Sequence, residues 1–484
     1  MRVPVIEEHD EGGLATFRVE TPPPLTAFLA FRVGHWDETV LNRGITHLVE
    51  HLALHPLRDV PHEFNGSVAG DFTTFWAAGT EEELQAFFRS LSRSLTALPF
   101  DRLDAEARVL QAETSGRPAG PIETLLTILL GPNGPGLLAY PERGFDLVGP
   151  REAQAWADRH FTRDNAVLML LGPRRPDIRV DLPPGMHRPY VLPGPELGYR
   201  PQQLEAVDQQ PRGICMGAFA RRTAEAVLAW HLLDQRLTRR LRHELGLIYS
   251  VGTSYLPVDA RTAFVYAGVD AMEGQEHLTA SHFMEVVRGL RDQPPDADEL
   301  ERLKKKLGLP DEFDEAAFAR TELSRVAVGR LLGYEPESWE QLESARAAAT
   351  PEGVHEAFRE AVRCAAVIPP SPIRLGLPER RKRSWDPVEG KRFRRWSNHG
   401  PGSLTHLVIG PEGISVRCDA RWVTVLWRNV VLAECTGGSH WTMLDRNGSW
   451  VQIETASWWR GRTISRLIRD RVPDPVLLPR PRRE

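Results

Sequence analysis

The sequence predicts an α+β protein: two similar mixed domains in tandem, then a small β-module closed by a helix. Three observations carry this reading. Strand-like alternation and helical spacing of apolar residues intermix over roughly the first 370 residues. A helix-then-strand segment recurs about two hundred residues on: Pro150-Arg151-Glu152 leads through Trp156 and Phe161 into Asn165–Leu171, and Pro351-Glu352-Gly353 leads through Phe358 and Val362 into Ala365–Ile368. After residue 400 the pattern becomes a run of short strands, and eight of the 13 Trp fall after residue 384.

In chain order, Leu14–Val19 and Ala27–Val33 read as strands, and Gly44–Leu57 as a helix with Thr46 as its cap. Phe72–Ala78, rich in aromatics and Thr, reads as a strand, and Glu81–Leu98 and Arg102–Ser115 as helices. The domains are expected at 1–173 and 206–376, joined by a Pro-rich connector over 174–205. A basic linker over 377–400 contains Arg380–Arg383 and Lys391–Arg395, and such a run is ordinarily a solvated segment. The module at 401–484 has strands near 406–409, 414–417, 423–427, 430–435, 441–444 and 450–455, then a helix over Gly461–Arg471.

The chain has 484 residues, 41% apolar and 26% charged, which is ordinary for a soluble globular protein. A net charge of −5 gives no case for nucleic-acid binding. The N-terminus has no apolar signal core, and no run is long enough for a membrane span. The four cysteines are far apart with no Cys-x-x-Cys pair, which suits free thiols in a reducing, cytoplasmic setting. Basic residues are almost all Arg, which together with abundant Ala, Pro and Gly suggests a GC-rich, bacterial genome.

The chemistry centres on His47-Leu48-Val49-Glu50-His51. Residues four apart share a helix face, so His47 and His51 can present two imidazoles to one metal ion while Glu50 reaches a water beside it. The flanking Leu48, Val49, Leu52, Ala53 and Leu54 are too apolar for a free surface helix, so these polar groups need partners. His55 continues the spacing and is read as solvent-facing or as a support to a ligand. Glu106 and Glu113 stand two turns apart on a later helix. Glu113 is read as the third ligand of a single Zn²⁺ per chain and Glu106 as the group that orients a ligand. Read alone, both fit surface acids better, which is the commoner fate of a helical Glu.

These residues together resemble the M16 family, the insulysin, pitrilysin and mitochondrial processing peptidase group. Gly44, His47, Glu50 and His51 are similar to its inverted zinc motif, and Glu106 and Glu113 to its paired acids. Asn65-Gly66-Ser67 and the residues to Thr73 resemble the edge strand that binds its peptide substrate, with Gly66 where Ala is usual. Arg242 through Gly246-Leu247 to Tyr249 resembles its Arg-x-x-x-Gly-Leu-x-Tyr segment. The resemblance, over about residues 14–370, implies largely antiparallel mixed sheets with helices packed on one face. It also implies a zinc endopeptidase in which Glu50 is the base and Tyr249, with Arg242, serves the oxyanion. The family builds a closed chamber from four such domains, so a homodimer or a heterodimer with a related subunit is expected. Some members keep the fold without the chemistry, which leaves a silent peptide-binding or assembly subunit as the alternative. The C-terminal module resembles a pleckstrin-homology-like domain, for which a protein partner is expected.

Overall fold

The computed structural model describes residues 4–57, 63–114, 119–192, 205–206, 213–308, 314–370, 375–377, 386–396, 404–418 and 421–478. Its first sheet is built from β1 (Glu7–Glu11), β2 (Leu14–Glu20), β3 (Leu25–Phe31), β4 (Glu63–Val68), β5 (Thr73–Gly79) and β6 (Ala166–Gly172). Their order is β1-β2-β6-β3-β5-β4, which leaves β4 as an edge. The second sheet holds β7 (Glu205–Ala206), β8 (Gly213–Arg221), β9 (Val251–Pro257), β10 (Thr262–Asp270) and β11 (Ala366–Ile368), in the order β7-β11-β8-β10-β9.

Apart from β1, the two orders correspond strand for strand. In each sheet one outer pair is parallel (β2 with β6, β7 with β11) and the remaining pairs are antiparallel. The helices follow the same plan. The first set is α1 (Ile45–Leu54), α2 (Glu81–Thr96), α3 (Leu103–Thr114), α4 (Pro121–Leu130), α5 (Gly144–Leu147) and α6 (Pro150–His160). The second is α7 (Ala224–Leu237), α8 (Glu276–Asp292), α9 (Ala297–Leu307), α10 (Glu315–Leu331), α11 (Trp339–Ala348) and α12 (Pro351–Arg363).

The expectation of helices on one face only is corrected by the packing. Along β3 and β6, Leu29, Phe31, Leu168 and Leu170 face one core, while Ala30, Val167, Met169 and Leu171 face another. Successive strand residues point to opposite faces, so both faces are buried. The first core is closed by α1, α2 and α6. The second is closed by Ala319, Leu323, Ala327 and Leu331 of α10, a helix from the other half of the chain. The reverse also holds: Leu125, Leu126 and Leu129 of α4 cover the face of the second sheet that carries Cys215 and Phe264. Each half thus lends a helix to the other's sheet.

After the second sheet, β12 (Lys391–Phe393), β13 (Leu404–Ile409), β14 (Gly413–Cys418) and β15 (Arg421–Leu426) form one four-stranded sheet. A second is formed by β16 (Val430–Thr436), β17 (His440–Asp445), β18 (Trp450–Glu454) and β19 (Leu477–Leu478), and α13 (Gly461–Arg469) closes a core that includes Trp441, Ile464 and Ile468. Lys391–Phe393, read from sequence as linker, is therefore an edge strand: Phe393 is buried and supplies the apolar contact that a solvated run lacks. Arg380–Arg383 lie outside the described residues. The module rests on the first half. Arg143 forms a two-pronged ion pair with Glu434, with contacts of 3.0 Å, and Leu432, Leu444 and Leu478 pack on Val40 and Leu137.

Candidate metal centre

Helix α1 buries Leu48, Val49, Leu52 and Ala53 against the first sheet, which turns the opposite edge of the helix toward β4. His47, Glu50 and His51 lie on that edge, and their ligand atoms are within 4.8 Å of one another. The His47 and His51 ring centroids are 4.9 Å apart. Glu50 Oε2 stands 3.9 Å from His47 Nε2 and 3.8 Å from His51 Nε2. The Glu50 carboxylate also lies against the backbone of β4: a Cβ on Gly66 would be 1.9 Å from Glu50 Oε1. Gly66 is thus where the base and the exposed edge strand, with Asn65 and Ser67, come together.

Glu106 on α3 is buried and holds the next layer. Its carboxylate reaches His51 Nδ1 at 3.1 Å and His55 Nδ1 at 3.3 Å. That leaves the Nε2 of His51 directed at Glu50 and His47, the arrangement by which a carboxylate fixes the tautomer of a metal-binding imidazole. Glu113, two turns further along α3, is exposed and outside the cluster of ligand atoms. Its charge still acts on the site, because burial first, then the charges of Glu113 and Glu106, push the Glu50 carboxyl up to about 8. Burial, His51 and His35 bring His47 down to about 4, so this imidazole is neutral at pH 7. The His47 and His51 imidazoles and the Glu50 carboxyl at this spacing, with His51 oriented from behind by a buried acid, fit a zinc ion.

The start of α1 departs from the sequence reading. Thr46 is buried inside the helix, and the N-cap is Gly44, with φ at 97°, where a side chain would also collide with Phe145. The missing cap is supplied by Glu38, whose two oxygens accept from Gly44 N at 2.9 Å and Thr46 N at 3.0 Å. Burial opposes ionisation of Glu38, but His35, with Nδ1 at 3.5 Å, and the capping contacts outweigh it, and the pKa lies below the ordinary carboxylate value. Sequence reasoning missed Glu38. The available signal was a helix opening on a residue that cannot cap, six positions after an acid. The loop bearing Glu38 is pinned by buried Arg32, which makes two 2.9 Å bonds to Asp37.

Arg242 and Tyr249 are not brought to this cluster. Arg242 lies in a π-helical turn over Thr238–Glu244, Tyr249 is 83% exposed before β9, and the guanidinium stacks over the Tyr249 ring at 5.6 Å. Both belong to the second half, and among the described residues neither contacts His47, Glu50 or His51.

Residues 148–307 match the family model for the peptidase M16 inactive domain. No curated protein matches the chain. Among solved structures, the peptidase M16 inactive domain from Pseudomonas fluorescens is similar with a TM-score of 0.60 and 13% identity, covering 78% of this chain and 100% of that one. The first half of the periplasmic protease PqqL from Escherichia coli gives 0.61 and 17%, covering 75% and 91%. The whole of that protease gives 0.61 and 15%, covering 87% of this chain and 55% of that one. With two matching sheets, each covered by a helix from the other half, and the match at 148–307, the chain carries the fold of the M16 peptidases.

Proposed function

We propose that the chain is a zinc-dependent endopeptidase whose two tandem M16-type domains form half of a peptide-binding chamber, followed by a PH-like module. The observation that carries this reading is the convergence of His47, Glu50 and His51 on one edge of α1, with Glu106 holding His51 from behind. His47 and His51 would hold the ion, with Glu113 of α3 as the third ligand. Zinc bound there would acidify water and polarise a peptide carbonyl. Glu50, whose raised pKa a cation bound beside it would lower, is placed to take a proton from the attacking water and return it to the leaving amine. The peptide would add to the free edge of β4 at Asn65, Gly66 and Ser67 by backbone hydrogen bonds, which tolerate varied side chains.

Arg242 and Tyr249 would serve the oxyanion in a second subunit, as a homodimer or a heterodimer with a related chain. In support, this chain spans about half of the whole Escherichia coli protease. The free thiols of Cys215, Cys364 and Cys435 favour a reducing, cytoplasmic setting.

A second reading is a catalytically silent peptide-binding or assembly subunit. It is favoured by the exposed Glu113, and by a family match of inactive-domain type, although that match lies outside residues 44–113. The deciding experiment is metal analysis of the purified chain with mass spectrometry of a digested peptide mixture, beside Glu50→Gln. The peptidase reading expects one zinc per chain and cleavage that falls by at least about a hundredfold in the variant. Equal turnover by both proteins would sink it, and zinc-independent peptide binding without cleavage would establish the second reading.

A further inference from the structure

The charge of the chain is divided. Residues 1–376 contain 40 basic and 54 acidic residues, whereas 377–484 contain 20 basic and 11 acidic. In the C-terminal module part of this excess gathers at one place. Arg462, Arg466 and Arg469 are exposed on α13 at helical spacing, and none is in an ion pair among the described residues. They form one wall of a cavity of about 690 Å³. The facing wall is the Gly437-Gly438 turn, where both residues have positive φ and no side chain fills the space. Trp458 also lines the cavity, and Trp396, 60% exposed, borders it, its indole donating to the carbonyl of the lining residue Ala456 at 2.9 Å.

We infer that this cavity is a docking site for an acidic segment of polypeptide. It goes beyond the peptidase reading and stands without it. Each feature narrows the ligand. Arg462 and Arg466, which have no ion pair among the described residues, select carboxylates, which a guanidinium can bind in bidentate fashion, and Arg469, hydrogen-bonded to Cys435, adds its charge beside them. The rise from Arg462 to Arg466 is about 6 Å along the helix, close to the roughly 6.6 Å between alternate residues of an extended chain, so acids two apart meet arginines four apart. A cavity of this volume takes several side chains rather than one small anion. Its concavity suits a polypeptide better than the flat surface of a bilayer. Tryptophan and arginine together are the residues that most often concentrate binding energy at protein interfaces.

The test uses the full-length Glu50→Gln chain, so binding is read apart from cleavage. The probe is a fluorescein-labelled dodecapeptide of alternating Glu and Leu, with Gln replacing Glu in the control, followed by anisotropy. The expectation is saturable binding of the Glu peptide that weakens with salt and falls about tenfold or more when Arg462→Glu and Arg466→Glu are introduced together. Trp396→Ala should weaken it without changing the salt dependence. Equal binding of the Gln peptide, or affinity unmoved by the charge reversals, would overturn the assignment. So would two other outcomes without peptide binding: sedimentation with phosphatidylserine vesicles that the reversals abolish, or a self-association that they abolish.

Discussion

At the residue scale the site depends on contacts that composition does not reveal. Glu50 is held against a strand backbone at Gly66, so the smallest substitution there tests the geometry. Gly66→Ala puts a Cβ 1.9 Å from Glu50 Oε1 and must displace the carboxylate. Cleavage should drop by about tenfold or more, while zinc content and thermal stability stay near wild type. Unchanged kcat/KM would show that Glu50 works from another position. Glu106 makes a different prediction. Removing the acid that orients His51 should weaken zinc binding by about 10–100-fold in chelator competition. Glu106→Ala with wild-type metal affinity would leave Glu106 a merely buried acid.

At the element scale the question is what holds α1 in place. Its N-terminus has no side-chain cap of its own and depends on Glu38. Glu38→Ala removes two acceptors and leaves buried amides unpaired, so a loss of about 2–3 kcal/mol is expected in denaturant unfolding. The pH dependence has a defined sign. The folded pKa lies below the unfolded value, so the contribution is complete above the ordinary carboxylate pKa of about 4.3 and is lost as pH falls through the folded value. The wild type should therefore lose more stability than Glu38→Ala on acidification below about pH 4. Parallel acid profiles would refute this role. The sequence displayed the helix, because Leu48, Val49 and Leu52 mark its buried face. It did not display the cap, because Glu38 arrives from a loop whose path is set by the buried Arg32–Asp37 pair.

At the scale of the whole molecule the two halves are not independent bodies, because α4 and α10 each complete the other half's sheet. Leu323 of α10 is buried against Val167 and Met169 of the first half. Leu323→Ala should cost about 2–5 kcal/mol and should loosen the first sheet as well, read as faster hydrogen exchange in β2 and β6. Exchange confined to α10 would mean that the helix is only an appendage. Much was already legible in the chain: the α+β class, the repeated helix–strand segment, the β-module with its closing helix, and the His47–Glu50–His51 motif. Each depends on periodicity or spacing over a few residues, which the local backbone converts directly into a shared face. What only the tertiary structure decided depends on groups distant in sequence. The exchange of α4 and α10, the pairing of Glu106 with His51, the cap from Glu38 and the seat of Glu50 against Gly66 all arise when separate elements pack. The same packing leaves Arg242 and Tyr249 on the other half, away from α1; the resemblance expects them to face the zinc of a second subunit.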